Sequence, residues 1–164
     1  MLVLGPYKDG GYQILSSIRN GLIANDISNS RIVTDFETPS KDSFDPSTYE
    51  LSRSEYWIDN SDLLLFVFIA GLDGAGVAVE LNYAIESDLM HRSIVAYNET
   101  EGYKLSLLIK GKVKRYSSLV TEIKYDTQDE VVRKAKGAVV SKLEILYEHL
   151  RRRASGEWER RKFS

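Results

Sequence analysis

Apolar residues fall along this chain in two kinds of run that take turns. One kind is short: Leu2-Val3-Leu4, Arg31 to Phe36, Leu63 to Ile69, Ser93-Ile94-Val95-Ala96-Tyr97, and Leu119 to Tyr125, each of which predicts a strand. Leu63 to Ile69, uninterrupted and without polar alternation, predicts a strand buried on both faces. The other kind recurs at steps of three and four. Ile14, Leu15, Ile18, Leu22 and Ile23 predict a helix, as do Val77, Leu81, Ala84 and Ile85, and as does the stripe Val132, Ala135, Val139, Leu143, Leu146 and Leu150. Two capping boxes, Ser47-Thr48-Tyr49-Glu50 after Pro46 and Thr127-Gln128-Asp129-Glu130, mark helix starts, the first helix reaching about Asn60. Leu105 to Lys110 predicts a short helical turn ended by Gly111. The segment from Glu37 to Asp45 is polar and irregular, as in a surface loop. Strand and helix alternate five times, which implies a parallel sheet covered on both faces. The expected fold is a flavodoxin-like α/β three-layer sandwich with a five-stranded parallel sheet and a long C-terminal helix. Residues 1–150 form one domain in this reading. Residues 151–164 form a polar basic tail with six basic and two acidic residues.

Composition narrows the chemistry. The 164 residues include no cysteine, which removes disulfides, thiolate nucleophiles and cysteine metal sites. The only histidines, His91 and His149, have no metal-binding spacing and are read as surface residues. A formal charge of −2 gives no field to recruit nucleic acid. No apolar run is long enough for a membrane span, and Met1-Leu2-Val3-Leu4 is too short for a signal-peptide core. A cytoplasmic protein without membrane or nucleic-acid partners is expected.

The most informative stretch is Asp62 to Glu86, DLLLFVFIAGLDGAGVAVELNYAIE. A buried strand runs into a turn punctuated by Gly71, Gly74 and Gly76, then into a helix. In open α/β sheets, ligands bind in the crevice beyond the carboxyl ends of the strands. Glu80 falls about one turn into that helix, beside Val77 and Ala84 on the apolar stripe. A carboxylate there suits a nucleophile at an acetal-like carbon, or simply a residue favoured by the helix dipole. Pro6-Tyr7-Lys8-Asp9-Gly10-Gly11 forms a second turn at the same edge. It matches neither the dinucleotide nor the P-loop fingerprint.

Gly74-Ala75-Gly76-Val77-Ala78-Val79-Glu80-Leu81-Asn82-Tyr83-Ala84, with Asp62 opening the strand before it, resembles the signature of the nucleoside 2-deoxyribosyltransferase family. That family includes the 2′-deoxynucleoside 5′-monophosphate N-glycosidases. Gly5-Pro6-Tyr7 resembles its first-strand turn, and Leu105 to Gly111 its later short helix. The resemblance covers about residues 1–126. It implies that Glu80 is a nucleophile forming a glycosyl-enzyme, with no metal or organic cofactor. It also implies a homodimer or higher homo-oligomer whose neighbour helps close the pocket, an expectation that the wide apolar arc of the last helix (Val139, Val140, Leu143, Leu146, Tyr147, Leu150) supports.

Two positions depart from the family pattern. Where the family carries a catalytic aspartate, eight residues before Asp62, this chain has Ser54, which cannot act as a general acid at neutral pH. Glu55, Asp59 and Asp73 are the nearby carboxyls left for that role. Asn82 replaces a glycine. Substrate contacts implied by the resemblance are Gly5, Pro6, Tyr7, Lys8, Gly10, Gly74, Gly76 and Ser106. Lys8 and Ser106 together suit a 5′-phosphate, though a solvated loop lysine and a helix cap fit the same residues. Phe36 is placed either to stack on a base or to pack in the core. The expected activity is cleavage of the N-glycosidic bond of a 2′-deoxynucleoside or its 5′-monophosphate, by hydrolysis or base exchange. The rival is a nucleotide-binding or sensor protein of the same fold that has lost turnover, and a weaker third reading is NAD cleavage in a related crevice.

Overall fold

The computed structural model describes residues 1–36, 49–98 and 106–154. The expected loop after Phe36, the Ser47-Thr48 half of the first capping box, Leu105 and the tail beyond Ala154 lie outside these residues. Five strands, β1 (Leu2–Leu4), β2 (Arg31–Ile32), β3 (Leu64–Phe68), β4 (Ser93–Asn98) and β5 (Thr121–Tyr125), form one parallel sheet in the order β2-β1-β3-β4-β5. This is the flavodoxin-like order. The helices are α1 (Gly11–Ala24), α2 (Tyr49–Asp59), α3 (Ala75–Glu86), α4 (Leu107–Arg115) and α5 (Gln128–Ala154).

The continuous apolar strands are explained by what lies on each side of them. Successive side chains point to opposite faces, so Leu64, Phe66 and Phe68 enter one core while Leu65, Val67 and Ile69 enter the other. The first core is closed by Ile58 of α2, Val77, Leu81 and Ala84 of α3, and Val113 of α4. The second is closed by Leu15, Ile18 and Leu22 of α1 and by Val131, Val132, Ala135 and Ala138 of α5. Gly21 lets α1 and α5 close up, since a Cβ there would stand 2.7 Å from Val132 Cγ2.

Several expectations need correction. The second strand does not reach Phe36. It ends at Ile32, and Val33–Asp35 turn as a 3-10 helix fastened by Ile32 N–H donating to Asp35 Oδ2 at 2.8 Å. Helix α4 runs through Gly111 to Arg115, so Gly111 does not stop it. Helix α5 continues to Ala154, past the expected start of the tail. Its buried side follows Val132, Ala135, Ala138, Lys142 and His149, and Leu143 and Leu150 are exposed. The histidines are not at the surface. His91 and His149 are both buried and their rings stack at 3.8 Å, nearly parallel. Beside them Lys142 is fully buried, with its ammonium donating to the carbonyls of Met90 (3.1 Å) and Leu119 and making a longer contact with His91 O (3.5 Å). A lysine stem packs like an aliphatic chain when its charged end finds acceptors, which is why the apolar count misread this face.

Candidate functional site

The carboxyl ends of β1, β2 and β3 open onto a cleft of about 620 Å³. The turn after β1 forms its floor. Pro6 O and Gly11 approach so closely that a Cβ on Gly11 would stand 2.0 Å from that oxygen. Gly10 has φ +89°, a left-handed conformation that glycine adopts without strain. This folding presents Gly5, Pro6, Tyr7, Lys8 and Asp9 to the cleft. The β2 end contributes Val33 and Thr34, α2 contributes Glu50, Arg53 and Ser54, and the β3–α3 segment contributes Asp73, Gly76 and Glu80.

Glu80 is the chemical centre. It is 9% exposed, and Oε2 has no hydrogen-bond partner among the described residues. Burial pushes its carboxyl up to about 7, opposed only by the Ser54 hydroxyl donating to it. A strongly shifted carboxyl facing a cleft is a site signature. Tyr7 lines the cleft with this carboxyl and Arg53. Its pKa is raised, first by burial and then by the charge of Glu80, while Arg53 acts in the opposite direction. The phenol therefore stays protonated, and its oxygen accepts from Val33 N–H at 3.2 Å. Gly76 lines the cleft with nothing within 4 Å of where a Cβ would stand, so this wall is left open.

The other expected residues are distributed unevenly. Asp73 lines the cleft but is exposed, and its Oδ1 accepts from Ala75 N–H at 2.9 Å, occupying one of the free amides at the start of α3. Gly10, Gly74, Phe36 and Ser106 are not among the lining residues. Phe36 stacks on Trp57 with centroids 3.7 Å apart. Ser106 caps α4, its Oγ accepting from Ile109 N–H at 3.2 Å. Glu55 and Asp59 also lie outside the lining, and Asp59 accepts from Tyr83 OH at 2.7 Å. Asp62 precedes β3 at the opposite, amino edge of the sheet, where it acts on the Met1 ammonium. Asn82 accepts from Lys112 Nζ and so ties α3 to α4.

Arg53 was not singled out from the sequence, nor were Thr34 and Glu50. The available signal was positional: Arg53 is the neighbour of Ser54, and a helix that presents one residue to a crevice presents part of the next. A larger trough of about 780 Å³ runs between α1 and the start of α5, bordered by Tyr12, Ser16, Asn20, Asp129 and Arg133. It holds no buried titratable side chain and is less suited to chemistry than the smaller cleft. Among the described residues no group of three or more His, Asp or Glu side chains is arranged to hold a metal ion, and no helix is long and apolar enough to cross a membrane. No protein-family model matches this chain, and no curated protein matches it in sequence.

Proposed function

We propose that the cleft binds a 2′-deoxynucleoside or its 5′-monophosphate and cleaves the N-glycosidic bond, with Glu80 as the nucleophile. The observation that carries this reading is a buried carboxyl with a free oxygen on the wall of a cleft at the carboxyl edge of the sheet. A glutamate Oε bonds to C1′ as the C1′–N bond breaks, and the bonding pair leaves with the base. Water then attacks C1′, the ester bond to Glu80 breaks, and the carboxylate is restored. The two displacements give net retention, and a second base in place of water gives base exchange. Attack requires the ionised carboxylate, so turnover rises with pH through about 7 on its acid side. Lys8, exposed at the rim, is placed for a 5′-phosphate.

Incubation with a panel of deoxynucleosides and deoxynucleotides, with and without an acceptor base, tests the activity. Mass spectrometry with a slow 2-fluoro substrate should find a glycosyl adduct on Glu80, and Glu80→Gln should release no base. One observation favours a second reading. With Ser54 at this place, the described residues of the cleft hold no buried acid beside Glu80, as in a nucleotide-binding protein that has lost turnover. Nucleotide binding with no release, even from an activated substrate, decides for that reading.

The assembly is part of the proposal. Val140, Leu143, Tyr147 and Leu150 are all exposed on α5, at steps of three, four and three. That is the spacing of a helix-on-helix seam, and the flanking Glu148, Arg151 and Arg152 carry both signs of charge. A second copy of the chain is the partner such a seam fits. Light scattering that finds only an 18.6 kDa species at micromolar concentration removes it.

A further inference from the structure

Apart from Glu80, the described residues of the cleft include no buried carboxylic acid to protonate a departing base. Of the other lining carboxyls, Asp9 and Asp73 are exposed, Asp73 accepting from Ala75 N–H, and the Glu50 side chain is 82% exposed. Two cations line the cleft, and they differ. Lys8 is exposed, whereas the Arg53 side chain is only 13% exposed. The Arg53 guanidinium is poorly satisfied by the protein. One Nη donates to Val33 O at 3.1 Å, the other is 3.9 Å from Glu50, beyond a hydrogen bond, and Nε is buried without a partner among the described residues. Tyr7, which also lines the cleft, is acted on electrostatically by both Glu80 and Arg53.

We propose that Arg53 is a catalytic residue that receives the leaving base, stabilising it as an anion where Ser54 offers no acid. The inference rests on the glycosidic reading. As Glu80 Oε bonds to C1′, the C1′–N pair moves onto the ring nitrogen and spreads to the adjacent carbonyl oxygen, which accepts N–H donors from the guanidinium. No proton is needed in this step. When water later attacks C1′, its proton passes to the base anion or to solvent, and the neutral base departs. A fork of donors suits bases that carry a ring carbonyl beside the glycosidic nitrogen, as pyrimidine-2,4-diones do. Adenine, which leaves best when protonated, fits poorly.

The test is a leaving-group series measured with the full chain: 2′-deoxyadenosine, 2′-deoxyuridine, its 5-fluoro analogue and 4-nitrophenyl 2-deoxyriboside, each with wild type, Arg53→Gln and Arg53→Lys. Loss of a preorganised donor to developing charge costs about 10²- to 10³-fold. Arg53→Gln should lose that much on 2′-deoxyuridine, and the loss should shrink steadily as the leaving group becomes more acidic. Arg53→Lys should fall between. Release from the 4-nitrophenyl substrate also reports that each variant is folded. An equal loss across the series makes Arg53 structural and overturns the proposal. So does a loss confined to binding of the 5′-monophosphate relative to the nucleoside, which would make Arg53 a phosphate clamp. If the wild type releases nothing from any substrate and forms no adduct, the glycosidic reading itself fails and this inference with it.

Discussion

Two sites of buried polarity stand at opposite edges of the sheet, and they solve the same physical problem in opposite ways. At the amino edge, Lys142 is enclosed at 0% exposure and its donors meet backbone carbonyls just before β4 and β5. His91 and His149 cover it with a ring stack. At the carboxyl edge, Glu80 is buried and Arg53 largely so, yet each keeps a polar atom without a partner among the described residues and lines the cleft. Burial alone does not distinguish structure from function. Whether the residue with the unmet atom lines a cleft does, because an unmet buried donor or acceptor is costly and a ligand can meet it only there. By that criterion the amino-edge cluster holds the fold, although His91 Nδ1 is also unmet among the described residues, because His91 lines neither cavity, and the carboxyl-edge cleft awaits a ligand.

If the comparison is right, an added group can improve the cleft, while change can only damage the cluster. Ser54→Asp supplies the missing acid and should speed release of natural bases by about 10²- to 10⁴-fold, the usual worth of general acid help. The gain should be absent with 4-nitrophenolate as leaving group. A slower Ser54→Asp enzyme on every substrate would break the comparison. Lys142→Ala removes a buried stem and strands carbonyls, and should cost about 3–5 kcal/mol in denaturant unfolding. Lys142→Met, which keeps the stem, should recover part of that. A near-neutral Lys142→Ala would mean that the cluster is incidental.

Proton linkage sharpens the contrast because the two sites titrate with opposite signs. The Glu80 carboxyl is raised to about 7 in the fold from an ordinary value of 4.5, so the folded state retains a proton that the unfolded chain releases. Stability from this site therefore falls as pH rises from about 4.5 to 7. Glu80→Gln should then stabilise the protein by about 3 kcal/mol at pH 9 and by almost nothing at pH 4. His91 is lowered to about 4, by burial first and then by His149 and nearby arginines, with the Asp88 backbone opposing. Here the unfolded chain binds the extra proton, and stability is lost as pH falls from about 6.5 to 4. His91→Phe keeps a ring against His149 and should flatten that acid limb by about 1–2 kcal/mol. Lys142, held down to about 7 by burial, adds stability as pH rises from about 7 to 10.5. Melting curves of the wild type, Glu80→Gln and His91→Phe across pH 4–9 separate the Glu80 and His91 contributions.

How much of this was legible in the sequence follows from the same physics. The strands were legible because double burial forces continuous apolar runs, as in Leu64 to Phe68. Glu80 was legible because a carboxylate interrupts the stripe of Val77, Leu81 and Ala84. Arg53 was not, since α2 has one fully buried side chain, Ile58, and an arginine on such a helix looks like any solvated one. What buries it is the end of β2, and pairing between a helix and a distant strand end leaves no local period. The face of α5 was misread for the reverse reason. Lys142 and His149 count as polar in any periodicity, yet their aliphatic and ring atoms fill core positions, while Leu143 and Leu150 face outward. Ser106 and Phe36 each had two readings open, and helix capping and ring stacking occupy them in the structure.

The smallest effect is expected at Lys8, where the cleft meets solvent. Asp9 and Gly10 beside it both have positive φ, so the turn holds a fixed left-handed shape that presents residue 8 at the rim. Among the described residues no hydrogen bond or ion pair involving the Lys8 ammonium is found in the structure, which leaves it available to an anion. A charge-assisted contact to phosphate is worth about 1.5–3 kcal/mol. Exposure and salt screening bring this one toward the lower figure. Lys8→Ala should therefore weaken binding of a deoxynucleoside 5′-monophosphate by about tenfold, and by less as salt rises. Binding of the corresponding nucleoside, measured in the same titration calorimetry, should stay the same, and so should the melting temperature, because nothing in the fold leans on this side chain. Equal weakening of both ligands would show that Lys8 shapes the turn rather than holding a phosphate, and the charge at the rim would then have to be counted with the structure rather than with the ligand.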